Sequence, residues 1–143
     1  MLVGLSMFSA RADTPSAESA EAQARKAAAV YVKSEGLRLR QDFWSGSLSG
    51  KKGKAIRLQL FKGNTYRLFL AGGTKGAGSG SRYHIMVIDN SGNVLAESAV
   101  KGPATTVEVK PRKTGAYMVL MRAETPKGSK SDTIPAVLFY GYH

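Results

Sequence analysis

Ile56-Arg57-Leu58-Gln59-Leu60-Phe61-Lys62-Gly63-Asn64-Thr65-Tyr66-Arg67-Leu68-Phe69-Leu70 is two alternating apolar and polar runs around a turn-forming centre. Lys62-Gly63-Asn64-Thr65 invites a two-residue hairpin. Such a turn pairs Leu60 with Arg67 on one face and Phe61 with Tyr66 on the other. The alternation instead sends Ile56, Leu58, Leu60, Tyr66, Leu68 and Leu70 to one core. A tight hairpin cannot do that, because side chains change face at every residue. The chain must carry a bulge here or cross from one sheet to another. Crossing is favoured, and it implies two packed sheets.

Working outward, the residues after Gly36 fall into short β-rich runs near 37–44, 54–61, 65–71, 82–89, 93–99, 104–110, 115–123 and 135–142, separated by Gly, Asn, Asp, Ser and Pro. No helical period interrupts them, which excludes a parallel βαβ sheet. The expected fold is all-β: a two-sheet, jelly-roll-like antiparallel β-sandwich of about eight strands over residues 36–143. Leu37, Leu39, Phe43, Ile56, Leu58 and Leu60 are expected inside. Ala116–Ala123 and Ala136–Tyr142 are apolar on both faces, so their outer faces need a cover. An Ala-rich helix or a second copy of the chain would serve.

The first 35 residues have a different texture. Leu2–Ala10 is a short apolar run followed by Ala10-Arg11-Ala12, so residues 1–12 read as the end of a secretory signal peptide that lacks a basic start. Nine apolar residues fall far short of the roughly 20 that a membrane span needs. Residues 13–35 read as an Ala-rich helical spacer, with Thr14-Pro15 at its N-terminus and Ala17, Ala20, Ala24, Ala27 and Tyr31 on one stripe. The expected destination is the periplasm or the cell exterior.

Four motifs in order resemble the bacterial pre-peptidase C-terminal domain, a secreted β-sandwich module. Phe43-Trp44-Ser45-Gly46-Ser47-Leu48 looks like its opening strand and turn. Phe61-Lys62-Gly63-Asn64-Thr65-Tyr66-Arg67-Leu68 resembles its Gly-x-x-Tyr step. Val87-Ile88-Asp89-Asn90-Ser91-Gly92-Asn93-Val94 resembles its Asp-x-x-Gly hairpin, and Gly115-Ala116-Tyr117-Met118-Val119 its Gly-x-Tyr strand. The resemblance covers about residues 40–123 and implies an accessory module. Its calcium-binding relatives cluster carboxylates, whereas this chain has isolated Asp89 and Asp132, weak candidates for a metal.

The residue inventory narrows the chemistry. With no Cys there is no thiol nucleophile, disulfide or Cys-ligated metal. The two histidines, His84 and His143, do not form a zinc pattern, and His84 sits in a strand pattern without a nucleophile motif. Gly72–Gly80 leads into a strand, whereas a phosphate loop needs a following helix. No cofactor is expected, and a non-enzyme is favoured. A small hydrolase built on His84 and a nearby carboxylate ranks last.

Charge is the positive signal. The chain of 143 residues has a formal net charge of +11, and residues 36–82 hold ten basic and one acidic residue. Alternation places Arg38, Arg40 and Arg57 on a wet face with Trp44 near its end and Lys51, Lys52 and Lys54 beside it, a candidate anion-binding surface. If strands 37–44 and 54–61 pair, Arg57 lies close to Asp42. The leading expectation is therefore an exported binding module for an anionic polysaccharide or envelope component. The alternative is a protein-interaction or self-associating module that uses Met118, Leu120 and Leu138. Nucleic acid is disfavoured, since the strand count exceeds that of an OB barrel.

Overall fold

A computed structural model of the chain describes residues 15–73, 80–126 and 133–143, with helix side chains described from Ala20 onward. The signal segment 1–12, Thr14, Asp132 and most of the Gly72–Gly80 loop lie outside the described residues. The elements are α1 (Pro15–Glu35), β1 (Arg38–Leu39), β2 (Trp44–Ser49), β3 (Lys54–Leu60), β4 (Tyr66–Gly72), β5 (Arg82–Ile88), β6 (Val94–Lys101), β7 (Ala104–Val109), β8 (Gly115–Glu124) and β9 (Thr133–Tyr142).

The crossing expected at residues 61–65 is present. β3 belongs to one sheet, in the order β3-β8-β5-β6, and β4 to the other, in the order β1-β9-β4-β7 with β2 also paired to β9. We name the sheet that holds β9 sheet A and the one that holds β8 sheet B. The Tyr66 hydroxyl accepts the Phe61 N–H at 2.8 Å, which satisfies the backbone where β3 ends. Thr65 and His143 exchange two backbone hydrogen bonds of 3.1 and 3.0 Å, which tie the far side of the crossing to the end of β9. From β2 to β9 every connection except the β5–β6 hairpin passes between sheets. This is jelly-roll wiring.

Between the sheets lie Leu60, Tyr66, Leu68, Leu70, Tyr83, Ile85, Val87, Val119, Met121 and Leu138, all buried, with Ile56 and Leu58 packed against them. The alternation of β3 and β4 thus serves one core from two sheets. Tyr83 spans the gap: a Cβ added at Gly72 on β4 would clash with the Tyr83 hydroxyl. Gly72 is glycine because a strand of the opposite sheet sends an aromatic ring against its Cα.

The outer face of sheet A is covered by α1. Ala20, Ala24 and Ala28, four residues apart, are fully buried, the first two against Ala71, Val137 and Phe139 and the third against Leu37 and Phe69. Alanine buries little area but lets the helix axis come close to the sheet, and the large side chains opposite supply the contact. The helix is therefore a third layer. Gly36, with φ of 69°, ends it, and the Leu37 N–H bonds back to the Tyr31 carbonyl at 3.3 Å. Its last residue, Glu35, is an acid at the negative end of the helix dipole. Arg67 (3.7 Å) offsets that charge, the His143 ring lies 3.4 Å from the carboxylate, and Arg67 also reaches Glu108 (3.1 Å) and lies 4.0 Å over the Tyr31 ring.

The opening of the domain differs from the expectation. The run 37–44 is not one strand: only Arg38–Leu39 pair with β9, and the longer strand is Trp44–Ser49. Leu37 and Leu39 therefore pack under the end of the helix and not between the sheets. Phe43 is 39% exposed and stacks on Phe139 at 4.4 Å on the outside of sheet A. The strand at 44–49 was hidden by Gly46, over which the Trp44 ring lies: a Cβ there would meet Trp44 Cζ2 at 2.5 Å. β3 pairs with β8 and not with the 37–44 segment, so Asp42 has Arg40 as its partner at 3.2 Å instead of Arg57.

Candidate functional site

Among the described residues no helix lies on the outer face of sheet B. Strand registers fix what that face presents. One cross-strand row runs Arg57, Met118, Ile88, Val94; the next runs Ala55, Leu120, Met86, Glu97; then come Arg122, His84 and Ala99, and finally Glu124, Arg82 and Lys101. Met86, Ile88, Met118 and Leu120 are half-buried and Val94 is 51% exposed. Among the described residues they are shielded by one another and by the ends of neighbouring charged side chains. A groove of about 600 Å³ crosses this face and is lined by Ala55, Leu120, Met86, His84, Glu97 and Ala99 among others. Small residues at its ends, Gly53, Ala55 and Ala99, leave the apolar floor open. Lys54, Arg57, Arg82, Lys101 and Arg122 outnumber Glu97 and Glu124 around it, so the face is apolar at its centre and cationic at its margin.

His84 lies in this groove. Its Nε2 contacts Glu124 Oε1, and Arg122 reaches Nδ1 at 3.4 Å and Glu124 at 3.6 Å. A guanidinium can only donate, so Nδ1 accepts and the imidazole proton is on Nε2, donated to Glu124. The carboxylate expected beside His84 for a hydrolase is thus present, yet both ring nitrogens are engaged. Ser98 lines the same groove, but its hydroxyl is hydrogen-bonded to Thr105 at 2.7 Å. A nucleophile has no free nitrogen to approach, and the cluster fixes three side chains at the margin of the face.

The residues expected to bind anions are divided. Arg38 and Arg40 stand on or beside the β1 edge of sheet A, whereas Lys54 and Arg57 are on the β3 edge of sheet B, with Lys51 and Lys52 in the link from β2 to β3. Asp42 and Tyr140 raise the Arg40 guanidinium above its ordinary range, with the Asp42 hydrogen bond the larger cause. Trp44 is half-buried against the sandwich core and over Gly46, so its ring is not a free stacking surface. Of the expected interaction residues, Met118 and Leu120 are on the open face. Leu138 is not: it is 1% exposed between the sheets, because register puts Val137 and Phe139 on the outside of β9, under the helix. Met86 and Ile88 were missed although the alternation of Arg82–Ile88 places them on the same face as His84.

At one end of the sandwich a second cavity of about 910 Å³ lies between the β5–β6 loop and the segment before β8, lined by Asp89, Val94, Lys110, Arg112 and Tyr117 among others. Asp89 is spent within its own turn. Oδ1 accepts the Ser91 and Asn93 N–H groups, both at 2.9 Å, and Oδ2 accepts the Asn93 side chain at 3.2 Å. The Asn93 backbone bond above all holds its carboxyl below the ordinary range; burial, the next largest influence, opposes it, and the Asn93 side chain and the Ser91 and Gly92 N–H groups add to the lowering. Gly92, with φ of 85°, closes the turn. Among the described residues no group of three metal-ligating side chains comes together, and no helix is long and apolar enough to cross a membrane.

No family model matches the chain, and no curated protein matches it. Among solved structures it is similar to the crystal structure of PliG from Aeromonas hydrophila, a periplasmic lysozyme inhibitor of g-type lysozyme, with a TM-score of 0.50 and 14% sequence identity over 77% of this chain and 90% of that one. At that identity the likeness is one of fold.

Proposed function

We propose that the chain is an exported, non-catalytic binding module that captures another protein on the outer face of sheet B. The observation that carries this reading is the asymmetry between the two outer faces. Both are built from strands with apolar outward residues, but α1 covers sheet A while, among the described residues, no element covers Met86, Ile88, Met118 and Leu120 of sheet B. Half-buried methionines suit a partner surface, because their flexible thioether chains adapt to its shape. The cationic margin selects a partner with acidic groups around its contact patch and repels a basic one. PliG, a protein of this fold, acts as an inhibitor of an enzyme, which supports a role in binding a protein. The motifs that resemble the pre-peptidase C-terminal domain support the same coarse role of secreted accessory module.

An anionic polymer is the weaker reading on this geometry. A polymer site needs a continuous cationic track and a free aromatic platform. Here the cations are split between two sheet edges and Trp44 is packed down.

The test compares the protein with Leu120→Glu and Met118→Glu variants. Chemical cross-linking in a periplasmic or culture-medium fraction is expected to join the unaltered protein to an acidic protein and to lose that product in both variants, with at least a tenfold loss of affinity once the partner is purified. Inhibition of a g-type lysozyme is a direct arm of the same experiment. Unchanged cross-linking in both variants, or capture of an anionic polysaccharide in place of protein, would overturn the reading.

A further inference from the structure

The edge of sheet B formed by β3 carries an inference that rests on the protein-binding reading and goes beyond the face. β3 pairs with β8 on one side, and among the described residues no strand pairs with its other side. The other sheet edges are blunted. β1 has two residues, β2 carries Trp44 across its own Gly46, β6 is set against β5 with a register irregularity and turns directly into β7, and β7 lies between Pro103 and Pro111. β3, in contrast, is seven residues long, without Pro, Gly or a bulge. Its inward side chains at Ile56, Leu58 and Leu60 are apolar, and its outward ones at Ala55, Arg57 and Gln59 are exposed. An edge of that length and regularity presents a row of backbone donors and acceptors that a further strand can meet.

Charge decides what that strand is. Lys51, Lys52, Lys54 and Arg57 flank or lie on the edge, and among the described residues none of the four is in a side-chain ion pair. A second copy of the chain would place β3 antiparallel to β3 and set these cations against each other, with Arg57 facing Arg57 in the register centred on it. Like charges directly opposite are destabilising. The same lysines and arginine that guard the edge against its own kind attract carboxylates. We infer that the β3 edge accepts an extended acidic segment of a partner protein as an added antiparallel strand of sheet B. Backbone hydrogen bonds supply the affinity, and alternation sets the sequence: β-branched residues on the side of Ile56 and Leu58, and Glu or Asp on the side of Arg57.

The experiment uses the full chain and three capped seven-residue peptides. One alternates Val and Glu, one alternates Val and Lys, and one is the Val and Glu peptide with alternate backbone nitrogens methylated, which keeps the charge and removes the ladder. Binding is read by titration calorimetry, and the location by amide hydrogen exchange. The expected result is that the Val and Glu peptide binds and slows exchange within residues 54–60, while the other two bind at least tenfold more weakly. Arg57→Glu, at an exposed position, is expected to weaken the Val and Glu peptide about fivefold and to favour the Val and Lys peptide. Equal binding of the methylated peptide, absence of slowed exchange at 54–60, or no binding would overturn the edge site. That failure is separable from failure of the face, which is read by partner capture in the Leu120→Glu comparison.

Discussion

Tyr83 shows how one residue reports on the packing of both sheets. Its ring is fully buried and its hydroxyl rests against Gly72 of the opposite sheet. Burial pushes that hydroxyl up to about 12, with Ser81 opposing by hydrogen bonding to it. The folded state therefore holds the Tyr83 proton more tightly than the unfolded chain, whose tyrosines titrate near about 10. The stability tied to that proton is complete below pH of about 10 and is lost as pH rises toward about 12. Urea unfolding from pH 8 upward is expected to show falling stability in that window, with a shallower fall in Tyr83→Phe. An identical slope in the two proteins would remove Tyr83 as the cause. In the sequence, Tyr83 was visible only as one member of an alternating strand. That it faces Gly72 depends on which strands lie across the core, and no local pattern carries that information.

At the scale of elements, the reading of residues 56–70 held because it used geometry that is local to the chain: a two-residue turn cannot keep both strands' apolar residues on one side. The two sheets follow from it. The opening strand was misplaced for the complementary reason. Leu37 and Leu39 alternate like strand residues, but their apolar partner is the helix, and Gly46 weakened the signal of the strand at 44–49. The face of the helix was legible in part. Ala20 and Ala24 lie on the expected stripe and are buried, and Ala28 completes their four-residue spacing in place of Ala27, which is only half-buried. Whether such a stripe docks was not legible, since the large side chains that it needs are on β4 and β9. Close approach of the helix predicts intolerance to added volume: Ala24→Leu is expected to cost about 1–3 kcal/mol in urea unfolding. Ala22→Leu, on the exposed side of the same helix, is expected to change stability by less than about 0.5 kcal/mol. Similar costs for both would mean that the helix is not seated on the sheet in solution.

For the molecule as a whole, charge and wiring set the behaviour. The excess of positive charge was legible to the residue, but its arrangement was not, because the basic segment 36–82 is distributed over both sheets. Among the described residues the ion pairs of Arg25, Arg40, Arg67, Lys110 and Arg122 engage most of the acidic groups and leave the other cations in excess, and the summed repulsion is felt by the compact state. Raising ionic strength from low to physiological is expected to raise Tm, as screening relieves that repulsion over a Debye length of about 8–10 Å. A Tm that falls with added salt would show that the Glu35, Arg67, Glu108 and His143 cluster outweighs it.

The position of β9 has a consequence for how the molecule comes into being. β9 stands between β1 and β2 on one side and β4 on the other, so sheet A has no centre without it. Residues 38–49 have no pairing partner until residues 133–142 emerge, and nearly every other pairing also spans a long stretch of sequence. A chain wired in this way folds slowly and only after the last strand is available. Synthesis is therefore expected to run ahead of folding, which leaves the polypeptide unfolded for any step that requires it.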